Sequence, residues 1–352
     1  MECHSVSFVR VFGYRKGCVL IITSRTPLRV SLFGGGTDYP SYFERYRGAV
    51  IGFTINKYIY ISALRLGSYV DYRYRVSYSK VEMVDDATQI QHPVVRVLLH
   101  RYRCDDAIDF SIQSDLPSSS GLGSSSAFTV GLINLLSGLK GIPRTKLELA
   151  REAIDVEQNV LGEHVGVQDQ LHAAFGGLNR FDFKSGSPFT MRPIDISGTE
   201  LRMLADWMLL VFTGTKRRAT DVAAEQVHST ATGKNDADLS CLLDLVDAGQ
   251  RILEHERGAN LPVELARLLH ESWMIKRRLS GKVSSNEIDD LYGRCITQGA
   301  LGGKLCGAGD GGFLLMIVPP ERRTAFCEAM EKRRCVDFEI DFAGSRLNGG
   351  LT

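Results

Sequence analysis

Residues 28–33 alternate. Leu28, Val30 and Leu32 fall on one side and Arg29, Ser31 and Phe33 on the other, the period of two that predicts a β-strand and turns Arg29 toward a cleft. Further strand patterns cover residues 49–61, 72–78 and 109–116. Helical patterns cover 93–101, 128–139 and 145–161, the last with Ala150, Ala153, Ile154, Val160 and Leu161 at three- and four-residue spacing. Strands over 175–183 and 191–196 close a first unit. A strand at 207–212 opens a second one of long helices, a glycine-rich turn, a strand at 313–318, and a last helix and strand. No regular strand–helix alternation emerges, so the chain is predicted to be α+β, with a boundary near residue 198.

At 352 residues the chain is long enough for two cores, and 44% hydrophobic with 24% charged residues is ordinary for a folded protein. A net charge of +1 offers no broad field for nucleic acid or an anionic membrane. Of the basic triplets 216–218, 276–278 and 332–334, most read as solvated helix faces. Cys3, Cys18, Cys104, Cys241, Cys295, Cys306, Cys327 and Cys335 form no Cys-x-x-Cys pair, which argues against zinc or a disulfide framework and fits a reducing cytoplasm. Apolar runs are of core-strand length, and residues 1–18 lack the apolar stretch of a signal peptide. They are expected to be a disordered extension or an over-long start.

Between the strand pattern at 109–116 and the helix pattern at 128–139 lies a run of small residues: Pro117, Ser118, Ser119, Ser120, Gly121, Leu122, Gly123, Ser124, Ser125, Ser126 and Ala127. Gly121 and Gly123 let main-chain amides approach an anion, and the following helix adds the partial positive charge of its first turn. No Gly-Lys-Ser/Thr closes the loop, so it is not a Walker A sequence. Glu157 falls on the inward stripe of its helix, where a carboxylate needs a cation. A divalent ion would serve, or an arginine at the edge of the stripe.

The serine-rich run resembles the central ATP-binding signature of the GHMP kinases. The segment 25–39, Arg-Thr-Pro-Leu-Arg-Val-Ser-Leu-Phe-Gly-Gly-Gly-Thr-Asp-Tyr, resembles that family's first motif, and 304–313, Lys-Leu-Cys-Gly-Ala-Gly-Asp-Gly-Gly-Phe, its third. The three stand in the family's order across nearly the whole chain. The resemblance implies a ribosomal protein S5 domain 2-like N-terminal domain over 19–198 and a ferredoxin-like C-terminal domain over 199–352, with ATP between them. Gly307 and Gly309 would join the serine loop at the nucleotide. Asp310 departs from the commoner all-glycine form and is expected to point away from the phosphates. Mg²⁺ would sit on Ser126 and Glu157. Gly166-Val-Gln-Asp-Gln170 resembles the segment carrying the family's catalytic aspartate, which makes Asp169 the group that accepts or orients the acceptor proton and Arg29 the one that offsets charge on the transferred group.

By the same resemblance Gly35, Gly36, Thr37 and Asp38 face the acceptor. Galactokinases carry Gly-Glu-His-Thr-Asp where this chain has Gly-Gly-Gly-Thr-Asp, which makes galactose a poor candidate. That form, with 213–219 (Thr-Gly-Thr-Lys-Arg-Arg-Ala), most resembles kinases of D-glycero-D-manno-heptose 7-phosphate. A second phosphate site is then expected at Arg217 or its neighbours Lys216 and Arg218. Other anomeric kinases, of the fucose, glucuronate or galactose type, and a non-catalytic sugar and ATP sensor stay open. The expected partner is a small-molecule sugar or sugar phosphate, with no nucleic acid and no membrane, and the protein is expected as a monomer or homodimer.

Overall fold

The computed structural model describes residues 21–67, 69–214, 219–331 and 334–348. The expected extension at 1–18 and the phosphate site at Lys216, Arg217 and Arg218 lie outside the described residues. Among the described residues twelve strands form two sheets: β1 (Ile21–Phe33), β2 (Gly48–Arg65), β3 (Tyr74–Ser77), β4 (Val81–Val84), β5 (Ile108–Ser114), β6 (Leu178–Lys184), β7 (Ser187–Pro193), β8 (Met208–Phe212), β9 (Gly302–Leu305), β10 (Phe313–Ile317), β11 (Cys335–Val336) and β12 (Arg346–Asn348). The larger sheet runs β12-β1-β2-β5-β3-β4, with β6 and β7 branching from β2. The smaller, antiparallel sheet runs β11-β8-β10-β9.

The strand β2 is long enough to carry this branching. Its first residues pair with β6 and its last with β5, while β1 lies along its other edge. Both faces of β1 are covered from Thr26 onward, which is why Phe33 is as buried as Leu32. The helix Asp236–His255 lays Leu239, Leu242 and Val246 into this core and presents Gly249, where a Cβ would stand 2.5 Å from the Phe33 ring. The core of the larger sheet is therefore continuous with helices from the second half of the chain. The last strand also crosses back: β12 leaves the second half and pairs antiparallel with β1.

The strand expected over 191–196 lies at Ser187–Pro193, and three elements around the serine loop also differ from the sequence expectations. The helix expected from 128 starts at Ser124, because Gly123 at φ +71° reverses the chain and lets the last three serines of the loop form the first helical turn. The helix expected over 145–161 is α-helical only through Lys146–Ile154, opened by a Thr145–Glu148 capping box, and continues as a π-helical turn over Asp155–Val160. The strand expected from 175 begins at Leu178 and is preceded by a helix, Gln168–Phe175. That helix has no polar face: Gln168, Gln170 and His172 are buried along with Leu171, Ala173 and Ala174, so the 3.6-residue pattern was absent from the sequence. Among the described residues no helix is long and apolar enough to cross a membrane.

Candidate active site

The serine loop leaves β5 and enters the helix Ser124–Leu139 with Pro117, Ser118, Ser119 and Ser125 exposed, Gly121, Gly123 and Ser124 partly covered, and Ser120 and Ser126 buried. Leu122 is its anchor, fully buried in the core, and its carbonyl accepts the Arg29 amide at 3.0 Å. No backbone N–H from Ser118 to Ser126 donates to another described residue, which leaves a row of amides at the positive end of a sixteen-residue helix. The third motif backs this loop. A Cβ on Gly307 would come within 2.5 Å of Gly121, and one on Gly312 within 2.2 Å of the Ser120 carbonyl. Two main chains thus meet without side chains between them, which is what both glycine patterns accomplish.

Arg29 is buried at 5% exposure and clamps the other side of the loop. Its Nε and Nη2 donate to the two carboxylate oxygens of Asp169 at 2.7 and 2.9 Å, and Nη1 donates to the Gly121 carbonyl at 2.6 Å. Such a two-pronged pair fixes the orientation of both groups. Asp169 stands in the first turn of the helix Gln168–Phe175 and keeps 26% exposure. A Cβ on Gly123 would touch it at 3.3 Å, so this carboxylate lies directly under the serine loop and in reach of solvent.

Across the loop, Glu157 is fully buried. Its Oε2 accepts the Ser126 hydroxyl at 2.8 Å and the Gln170 amide, while Oε1 has no partner. Burial pushes its carboxyl up to about 7, against the nearby Thr129 hydroxyl and the hydrogen bonds from Ser126 and Gln170, which favour the ionised form. The π-helical turn brings this residue inward. An orphaned carboxylate oxygen beside a serine hydroxyl is a hard-oxygen pair that fits magnesium, which keeps waters and substrate phosphates as its remaining ligands. Among the described residues no three-residue cluster of His, Cys, Asp and Glu offers an all-protein metal cage.

The first-motif turn closes on itself. Thr37 is buried, and its hydroxyl donates to the carbonyls of Gly34 and Ala49 and accepts the Ala49 amide, so its side chain holds the turn and has no donor left for a ligand. Asp38 accepts the amides of Gly36 at 3.0 Å and Gln168 at 3.3 Å, joining this turn to the start of the Asp169 helix. Burial raises its pKa, opposed by the Gly36 amide. Gly35 and Gly36 stay partly open. Around Gly35 converge Ser31 and Gln168, each 3.6 Å from where a Cβ would stand, and Ser31 Oγ and Gln168 Oε1 are buried without partners. Sequence reasoning had not singled out these two residues. Their polarity on otherwise apolar, buried segments was the available signal.

Two more residues were missed. In the triplet 276–278, Arg277 and Arg278 keep contact with solvent, but Lys276 ends the helix Asn260–Lys276 buried at 7% exposure, and Lys304 on β9 is buried at 3%. Lys276 Nζ donates to the carbonyls of Leu305 and Gly307, and Lys304 Nζ to that of Leu32 at 2.8 Å. Burial pulls the two amines down to about 8 and about 7. His172, one turn beyond Asp169, is held at about 4 by burial, with Nδ1 on the Gln168 carbonyl.

Residues 89–177 match the family described as GHMP kinases N terminal domain, and 257–337 match GHMP kinases C terminal. The chain is 29% identical over 328 residues to a protein of Campylobacter jejuni named D-glycero-alpha-D-manno-heptose 7-phosphate kinase, covering 89% of this chain and 94% of the relative. A galactokinase of Thermotoga neapolitana is 24% identical over 318 residues, covering 83% and 88%. Among solved structures, a putative sugar kinase from Campylobacter jejuni superposes with a TM-score of 0.67 at 27% identity, covering 94% of this chain and 98% of that one. A D-glycero-D-manno-heptose 1-phosphate kinase from Bacteriodes thetaiotaomicron shares the fold at a TM-score of 0.73 and 24% identity, covering 94% and 100%.

Proposed function

Because the chain belongs to the GHMP kinases, phosphotransferases with an alcohol group as acceptor, we propose that it moves the γ-phosphoryl group of ATP onto the anomeric hydroxyl of D-glycero-D-manno-heptose 7-phosphate, yielding the 1,7-bisphosphate. The observation that carries the chemistry is the Arg29–Asp169 pair lodged against Gly121 and Gly123 of the serine loop. The acceptor oxygen bonds to phosphorus as the bond to the ADP oxygen breaks. Asp169 orients the acceptor hydroxyl and takes its proton, while Arg29 faces the charge spreading over the transferred group. Free amides of the serine loop bind the phosphates, and Ser126 and Glu157 would hold magnesium, which neutralises phosphate oxygens when bound.

Support for the acceptor comes from the first-motif turn and from the Campylobacter relative. Gly35 puts no side chain beside Ser31 and Gln168, and we assign this partly open turn to a sugar larger than a hexose. The added phosphate is assigned to Arg217 with Lys216 and Arg218. A galactose-type acceptor is the second reading, favoured by the Thermotoga galactokinase match. The cytoplasm is the compartment we assign.

ADP release from purified protein, measured across a panel of sugars and sugar phosphates, tests both readings. Turnover confined to heptose 7-phosphate supports the first, and turnover on galactose the second. Arg217→Ala should raise KM for heptose 7-phosphate far more than KM for ATP. Binding of ATP and sugar with no turnover would make the protein a sensor and end the kinase reading.

A further inference from the structure

The two buried lysines are the part of the site that the proposed chemistry does not use. Both sit at the joint between the three motifs. Lys276 holds the carbonyl of Gly307, whose main chain rests on Gly121, and Lys304 holds the carbonyl of Leu32, which leads into the Gly34–Asp38 turn. Every acceptor they have is a neutral carbonyl, and among the described residues neither forms an ion pair. The charged and titratable groups facing Lys276 are Lys304 on β9, Cys306 in the third-motif turn, Arg29 on β1, Asp38 in the first-motif turn and Asp169 on its helix; those facing Lys304 are Lys276, Cys306 and Arg29. Asp169 is already committed to Arg29, and Asp38 to two amides. With both amines protonated, positive charge is in excess beneath the loops. A buried ammonium without a counter-charge is costly, and such a cost is relieved by an anion placed nearby.

We propose that Lys276 and Lys304 are positioning residues for the nucleotide, two buried ammonium groups that fasten the first- and third-motif turns from below and whose excess charge is balanced by the polyphosphate seated on the serine loop. This rests on the kinase reading. In the ligand-free protein burial favours the neutral amines, so titration falls near pH 7 for Lys304 and near pH 8 for Lys276. A bound polyanion favours the ammonium form of both. Binding is then linked to proton uptake, and affinity falls as pH rises through 7 to 9.

Calorimetric titration of magnesium ADP at pH 8, repeated in buffers of different ionisation enthalpy, measures that uptake directly, since the phosphates of ADP are already ionised there. The wild-type protein should take up as much as about one proton per nucleotide. Lys304→Met and Lys276→Met, checked for folding by circular dichroism, should each lose part of that uptake, flatten the dependence of affinity on pH between 7 and 9, and bind ADP tenfold or more weakly at pH 7. A role in holding carbonyls alone would lower stability and leave the proton count unchanged. Absence of uptake by the wild type overturns the proposal even if neither variant folds, as does full uptake by both variants. Failure of ADP to bind at all would overturn the kinase reading with it.

Discussion

Glu157→Gln separates the cost of the buried carboxylate from its use. In the folded protein this acid titrates near 7, against 4.5 for its ordinary value, because burial disfavours its charge and Oε1 has no partner. Between those two pH values the folded state holds a proton that the unfolded chain has released, so the stability it contributes is full below about 4.5 and is lost as pH rises through about 7. At about 1.4 kcal/mol per pKa unit, the ligand-free protein loses roughly 2–3 kcal/mol from this group between pH 5 and pH 8. Glutamine keeps the shape and cannot ionise. Melting temperatures of wild type and variant, compared without ligand at each pH, cancel every other titrating group. The variant should melt several degrees higher relative to wild type at pH 8 than at pH 5. With magnesium ATP the order should reverse, because only the carboxylate gains a cation, and turnover by the variant should be lost. An identical difference at both pH values would refute the buried, uncompensated carboxylate.

Other changes probe the remaining parts. Asp169→Asn should lower kcat by about 10²–10⁴-fold while leaving the KM for ATP within a few fold, since the amide keeps a bond to Arg29 and cannot take the acceptor proton; an unchanged kcat would remove it from the chemistry. Gly121→Ala places a Cβ 2.5 Å from the Cys306 carbonyl at φ +75°, so it should raise the KM for ATP and lower the melting temperature, both readable in one preparation. Thr37→Val removes the hydroxyl that closes the first-motif turn and leaves the carbonyls of Gly34 and Ala49 without that donor; a cost of about 1–3 kcal/mol in urea unfolding is expected. Chelation with EDTA should abolish turnover, and added magnesium should restore it.

The candidate site was legible in the sequence where it is built from main chain. Glycines at Gly121, Gly307 and Gly312 are written in the chain because only a missing Cβ lets the serine loop meet the third-motif turn, Gly123 leaves room for Arg29 and Asp169, and the alternation at 28–33 already set Arg29 apart from Leu28 and Val30. The inward stripe likewise marked Glu157, although its delivery by a π-helical turn did not follow from any spacing. What the tertiary structure alone decided is which polar groups face one another. The Arg29–Asp169 pair spans 140 residues, Thr37 ties its turn to Ala49 on β2 and Asp38 ties it to Gln168, and Lys276 turns from an apparent surface charge into a buried one because the helix Asn260–Lys276 ends against β9. Local sequence fixes backbone freedom and hydrophobic faces over a few residues. Partnership and burial of charge depend on how distant segments pack, and one-dimensional order does not encode that.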